Sequence, residues 1–285
     1  MTGVGRGSGK LILCGEHAVV YGHPAIAFAV DRGTTVDVVA RRGPTMLDAD
    51  QDDARLLAAL HTVVPPDGWA VKVRTDLPIG RGMGSSAALA VGLVRALAAA
   101  RGESPDDAAV EDAAMPLERA FHGNPSGLDV ALSARGGIAR YRRGPPRTLE
   151  PLPVPGWSVV VLDSGEAGNT AELVAGVAAR RPGVDRALER IGALVAHAEA
   201  VLADPAALGP VLDENHALLR EIGVSTPRID ELVALAKRAG ALGAKLSGAG
   251  GGGVVLALAP RGATILSQCL ELGIDAWECR PWTRE

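Results

Sequence analysis

Apolar and polar positions divide the chain into a first half rich in strands and a second half rich in helices. Leu11–Cys14, Ala25–Val30 and Thr34–Ala40 are short apolar runs rich in Val and Ile, the signature of strands. Trp69, Val71 and Val73 alternate with Ala70, Lys72 and Arg74, as in a strand with one face buried. Arg41–Pro44 and Pro65–Gly68 are turns. A largely apolar run with no helix-breaking proline, Ala87–Ala100, predicts a buried helix reaching about Arg101. A second helix is expected over Pro105–Phe121, with Ser104 as N-cap and Pro105 at the first helical position. Strands near Gly137–Arg142 and Trp157–Leu162 flank a proline-rich passage, 145–155, where we place a domain boundary, giving units 1–153 and 154–285. Beyond it, helices are expected at Thr170–Ala179, Val184–Leu202, Pro205–Ile222 and Pro227–Ala239. A strand at Val254–Leu258, a helix near Ala263–Leu272 and a strand near Ala276–Arg280 complete the chain. Strands and helices segregated in this way predict two α+β domains rather than a doubly wound parallel sheet.

At 285 residues, two such domains can each bury a core. The formal charge is −4 and no basic block occurs, which argues against nucleic acid or an anionic membrane as partner. With only four Trp, two Tyr and two Phe, the cores are built from small aliphatic residues, and there is little to stack on bases. Cys14, Cys269 and Cys279 are odd in number and widely spaced, as expected of reduced thiols in a cytoplasmic protein. The N-terminal residues carry no apolar signal core. The longest apolar stretch, 86–100, contains Arg95 and is too short to span a bilayer comfortably.

Three glycine-marked segments change this picture: Gly9–His17, Pro78–Ala88 and Lys245–Gly253. Glycine is costly in chain entropy and is used where backbone turns sharply or lies against another group. In the second segment Gly80, Gly82 and Gly84 alternate, Ser85 and Ser86 follow, and the buried helix begins at once. Free backbone N–H groups and the positive end of a helix then converge on one point, which makes a phosphate site. The Gly5–Lys10 stretch tempts toward a Walker-type loop but fails twice. Val4 stands where the first glycine belongs, and Leu11 follows Lys10 where a metal-binding hydroxyl is required.

All three segments, in this order, resemble those of the GHMP kinases, the galactokinase, homoserine, mevalonate and phosphomevalonate kinase family. Gly15–Gly22, His122–Asp129 and Asn169–Val177 are similar to its mevalonate kinase branch, and the resemblance runs from about Gly7 to about Leu258. Two departures are conservative: Ser8 replaces the usual Pro before Gly9-Lys10, and Met83 replaces the usual Leu.

The resemblance implies an N-terminal domain holding the nucleotide loop and a ferredoxin-like C-terminal domain. It also implies phosphorylation, with ATP and Mg²⁺, of a small acidic metabolite at a hydroxyl, mevalonate first among them. The assembly is expected to be a monomer or a homodimer. Pro78, Gly80, Gly82, Gly84, Ser85, Ser86 and Ala87 are then the nucleotide-phosphate contacts. Lys10, otherwise an edge lysine, becomes a cation beside the acceptor hydroxyl, and Asp129, otherwise a helix cap, becomes the acceptor of its proton. Glu118, with Ser86 or Ser85, is implied to hold Mg²⁺. Glu16, His17, Ser247, Gly248 and Ala249 are expected at the substrate. Arg143, with Tyr141 on the same side of a strand, is the candidate to fork the substrate carboxylate.

Overall fold

The computed structural model describes residues 1–49, 54–123, 125–259 and 262–284. Asn124, within the His122–Asp129 motif, lies outside the described residues. The first half is a six-stranded sheet made from β1 (Thr2–Cys14), β2 (Pro24–Pro44), β3 (Met46–Ala49), β4 (Asp67–Thr75), β5 (Ile138–Arg142) and β6 (Thr148–Leu152). Its path is β3-β4-β2-β5-β6, and β1 pairs antiparallel with β2 along nearly all its length. Ala25–Val30 and Thr34–Ala40 are one continuous strand rather than two. Gly33 carries the chain through, because a Cβ there would sit 2.2 Å from the Gly7 carbonyl oxygen.

β1 is also longer than expected, starting at Thr2 rather than Leu11. In its added first stretch, Thr2–Gly7, the buried positions are Gly3, Gly5 and Gly7, which an apolarity pattern does not register as core. They face α2 (Ser85–Arg101), whose Ala88, Gly92, Ala96 and Ala100 recur once per turn. A Cβ on Gly3, Gly5 or Gly7 would fall 2.1, 2.1 or 2.2 Å from the carbonyl oxygens of Ala96, Gly92 and Ala88. Strand and helix therefore touch backbone to backbone. The far side of α2 packs on α3 (Asp107–His122) and α4 (Leu128–Arg135), so the helix is buried all round, as its composition predicts. α1 (Ala54–Leu60) completes this half.

α3 begins two residues later than expected. Asp106 rather than Ser104 is its N-cap, accepting from the Ala109 N–H at 2.8 Å. Within the proline-rich passage, β6 is a strand the sequence did not announce. Pro151 is tolerated because β6 lies at the end of the sheet path.

The second half is a four-stranded antiparallel sheet, β10-β7-β9-β8, of β7 (Val159–Asp163), β8 (Gly243–Ser247), β9 (Val254–Leu258) and β10 (Ala276–Cys279). Five helices accompany it: α5 (Thr170–Ala179), α6 (Asp185–Ala200), α7 (Pro205–Glu221), α8 (Pro227–Arg238) and α9 (Ala263–Glu271). Asn169, Asp204 and Thr226 cap α5, α7 and α8 through their side chains. β9 is continuously apolar and buried at every position. One apolar core joins the halves, running from Leu11, Leu13 and Phe28 to Val161, Leu246 and Leu256. The chain end returns to the first sheet, where Pro281 bridges Val30 and Thr283 bridges Gly136.

The β1–α2 contact makes a stability prediction. Gly5→Ala inserts a carbon where no space exists and should cost at least about 1–3 kcal/mol. Gly156→Ala, with no heavy atom within 4 Å of the added carbon, should stay within about 0.5 kcal/mol. Urea unfolding of both variants checks this, and equal stabilities would dismiss the close-packing account.

Candidate active site

The loop between β4 and α2 has Gly80, Gly82 and Gly84 at φ 73°, 77° and 72°, a left-handed conformation that favours glycine. Gly84 is the N-cap of α2 and offers no side chain, so the first N–H groups of Ser85, Ser86 and Ala87 have no capping partner from it. Pro78–Ala87 thus forms a backbone cradle at a helix N-terminus, a geometry that suits phosphate.

β1 runs directly beneath this cradle. The Lys10 N–H donates to the Met83 carbonyl at 2.9 Å, and a Cβ on Gly84 would lie 3.1 Å from Lys10 Cγ and 3.7 Å from Asp129 Oδ2. Lys10 Nζ is 3.3 Å from Asp129 Oδ2, with the lysine side chain 7% exposed and the aspartate 31%. Lys10 is therefore no solvated edge lysine. Asp129 is no cap either: Gly127 (φ 81°) caps α4, and Asp129 sits in the first turn with its carboxylate turned to the lysine. The two residues lie 119 positions apart in sequence and meet at the mouth of the cradle.

Glu118 comes from the last turns of α3 and is 3% exposed. Its Oε2 is buried with no hydrogen-bond partner, and its Oε1 lies 3.6 Å from His122 Nε2. His122 Nε2 is also 3.0 Å from Ser86 Oγ, so one imidazole stands beside both the serine hydroxyl and Glu118. Burial, then the charge of Asp129, pushes the Glu118 carboxyl up to about 7. A buried carboxylate oxygen without a partner beside a serine hydroxyl is the donor set of a hard cation. Among the described residues no three His, Cys, Asp or Glu side chains form a complete metal cage. That suits Mg²⁺, which takes one or two protein oxygens and fills its shell with phosphate and water. Of the two loop serines, Ser86 is the one that reaches Glu118.

The third glycine segment follows β8, with Gly248, Gly250, Gly251, Gly252 and Gly253 all at positive φ. It packs on the cradle: a Cβ on Gly253 would lie 2.9 Å from the Arg81 carbonyl oxygen, and one on Gly248 3.7 Å from that of Gly82. Arg81 adds an ion pair to Asp163 at 3.0 Å and donates to the Gly165 carbonyl at 2.9 Å, tying the loop to the second half. His17 holds a φ of 60°, strained for a residue with a side chain. Its Nε2–H donates to the Ala249 carbonyl at 2.8 Å, which leaves Nδ1 as the acceptor. Burial lowers its pKa and keeps the ring neutral. His17 is thus joined to Ala249, in the glycine segment that follows β8.

Three expected substrate contacts are corrected. Glu16 is 1% exposed, with one oxygen paired to the fully buried Lys245 and the other accepting from Asn215 Nδ2 at 2.9 Å. Ser247 Oγ donates to the Ile12 carbonyl at 3.1 Å and accepts from the Ile12 N–H at 2.9 Å, so its hydroxyl joins β8 to β1. Tyr141 is 1% exposed, and its hydroxyl donates to the Ser126 carbonyl at 2.9 Å. In all three the polar atoms already hold partners within the protein, which ties these side chains into the fold. Arg143, just past the end of β5, is half-buried. Asn215 was not anticipated, since a lone Asn within a helix carries no sequence signal. Arg81 stood in plain view inside the loop.

A phosphate cradle, a lysine–aspartate pair at its mouth and a carboxylate with a hydroxyl for a hard cation define an enzyme that transfers phosphate from a nucleotide to a small molecule. Two family models match the chain, GHMP kinases N terminal domain over residues 54–137 and GHMP kinases C terminal over 183–274. The chain is 34% identical to the mevalonate kinase of Thermococcus gammatolerans, across 88% of this chain and 87% of that one. It is also 34% identical to that of Methanothermobacter thermautotrophicus, across 88% of each. Its structure is similar to that of L. major mevalonate kinase in complex with R-mevalonate, with a TM-score of 0.88 at 28% identity, covering 100% of this chain and 98% of the other. The chain belongs to the GHMP kinases and is an ATP-dependent small-molecule kinase with their two-domain α+β fold.

The Glu118 environment predicts a pH dependence. The unfolded chain releases this proton above about 4.5, whereas the folded chain keeps it up to about 7. The unfolded state then binds fewer protons in that window, so metal-free stability falls as pH rises through it. Glu118→Gln should flatten this part of the pH profile of the thermal midpoint, and an unchanged profile would mean that Glu118 is not the group titrating.

Proposed function

We propose that this chain is a mevalonate kinase, transferring the terminal phosphoryl group of ATP to the primary hydroxyl of mevalonate in isoprenoid precursor synthesis. The observation that carries the reading is the Lys10–Asp129 pair, 3.3 Å apart and in contact with Gly84 at the head of α2. In this mechanism the N–H groups of the cradle hold the nucleotide phosphates against the helix N-terminus. Asp129 accepts the proton of the attacking hydroxyl, and Lys10 stands 3.3 Å from its carboxylate. Lys10 also offsets negative charge on the attacking oxygen and the transferring group, in a site with little water. Ser86 and Glu118 would hold Mg²⁺, which when bound neutralises charge on the nucleotide phosphates. Arg143 clamps the substrate carboxylate, and the neutral His17 accepts from a substrate hydroxyl through Nδ1.

The same reading divides the chain into units 1–153 and 154–285. It is supported by the change of sheet between β6, ending at Leu152, and β7, starting at Val159. A cytoplasmic setting is supported by three free, buried cysteines and by the absence, among the described residues, of any helix long and apolar enough to cross a membrane. Burial pushes the Cys14 thiol up to about 12, so it is an inert core group rather than a nucleophile.

A substrate panel with ATP consumption as readout tests the assignment. Turnover of mevalonate should exceed that of phosphomevalonate, homoserine and galactose by about 100-fold or more. Comparable turnover of any of the three would remove the assignment of substrate while leaving the kinase class intact.

A further inference from the structure

The turn that presents Asp129 is held from behind by a hairpin that belongs to neither the cradle nor the metal group. β5 and β6 are joined through residues 143–147, and two side chains of this hairpin reach back to the turn. Tyr141 holds the Ser126 carbonyl, and Arg147 Nη1 donates to the Gly127 carbonyl at 3.2 Å. The other arm of the guanidinium, Nη2, donates to Glu111 Oε2 at 2.9 Å. Glu111 projects from α3, is 2% exposed, and pairs through its second oxygen with Arg135 of α4. The guanidinium is therefore fixed at both ends, and one of the groups it grips is a carbonyl two residues from Asp129.

Gly127 is where this grip is possible. A Cβ there would lie 2.1 Å from Arg147 Nη1, and the residue holds φ 81°. Its carbonyl also accepts from the Ala131 N–H at 3.1 Å, so it is both the first acceptor of α4 and the atom Arg147 holds. Gly127 has no side chain to cap α4, and the Leu128 N–H donates to Ser126 Oγ at 3.3 Å, within the same turn. Among the described residues the carboxylate of Asp129 has one ion-pair partner, Lys10, so where it stands depends on how its backbone is set. The fold does not need Arg147 to join α3 to α4, because the Glu111–Arg135 pair already does so.

We propose that Arg147, oriented by Glu111, is a positioning residue for phosphoryl transfer. It fixes the Ser126–Gly127 turn so that the Asp129 carboxylate meets the acceptor hydroxyl. This rests on reading Asp129 as the group that takes the hydroxyl proton. A guanidinium suits the task because its two Nη groups are held apart in one rigid plane, so each grips its own partner and the distance between them is fixed.

The test compares kcat and both KM values of wild-type, R147A and R147K proteins, with and without guanidinium chloride at concentrations far below denaturing. R147A should lose about 10–100-fold in kcat, the loss expected of a misplaced reacting group, with KM for ATP unchanged. Added guanidinium should return part of that kcat and do nothing for D129N. R147K should fall between R147A and wild type, and it carries the test if R147A does not unfold cooperatively. Unchanged kcat in R147A would overturn the proposal. So would a loss of kcat accompanied by a raised KM for ATP and no response to guanidinium. Failure of the wild-type protein to use mevalonate would count against the substrate reading alone, because the comparison runs equally on whichever alcohol the wild type phosphorylates.

Discussion

The close approach of α2 to β1 sets where the phosphate cradle meets Lys10. Glycines at alternate positions of a strand meet small residues spaced one turn apart on a helix, so two backbones lie where side chains would normally separate them. The contact fixes where the helix begins. Gly84 is thereby pressed against the Lys10 side chain, and the phosphate cradle opens over the strand that supplies the cation. Packing at this density leaves little freedom to rearrange, and the geometry needed for phosphoryl transfer is preorganised before any ligand arrives. The expense falls on folding, since a glycine-rich strand loses more chain entropy than an ordinary one.

The site is also built from both halves of the chain. The fully buried Glu16–Lys245 pair joins the turn after β1 to β8, and Asn215 of α7 completes it by holding the second carboxylate oxygen. Removing one partner of such a pair strands a charge in the core, at about 3–5 kcal/mol. Ser247 on the Ile12 backbone, His17 on the Ala249 carbonyl and Arg81 on Asp163 repeat the theme at lower charge. The glycine loops after β4 and after β8 therefore come from different halves of the chain, and these contacts hold the halves in register.

Much of this was legible in the sequence because chemistry and backbone geometry coincide there. Gly80, Gly82 and Gly84 announce a left-handed loop, and the apolar run behind them announces a buried helix. The helices of the second half begin at residues whose side chains cap them, apart from α6 and α9. What escaped has two physical causes. Apolarity patterns treat glycine as neutral, so the core-facing Gly3, Gly5 and Gly7 hid most of β1, and Pro151 hid an edge strand. Sequence also says nothing of where a polar group spends its hydrogen bonds. Glu16, Ser247 and Tyr141 sit close to the site in the chain but face inward, whereas Arg147 and Asn215 earn their roles only through tertiary contacts.

The central claim is that Lys10 and Asp129 act as a unit on one hydroxyl, and a double-mutant cycle in kcat tests it most directly. Lys10→Ala and Asp129→Asn should each lower kcat by about 10²–10⁴-fold or more while ATP binding survives. The double variant should lose much less than the product of the single losses, since each change disables the same step. Kinetics are compared only among proteins that unfold cooperatively. Full multiplicativity of the two losses, or a near-wild-type Asp129→Asn enzyme, would contradict the account.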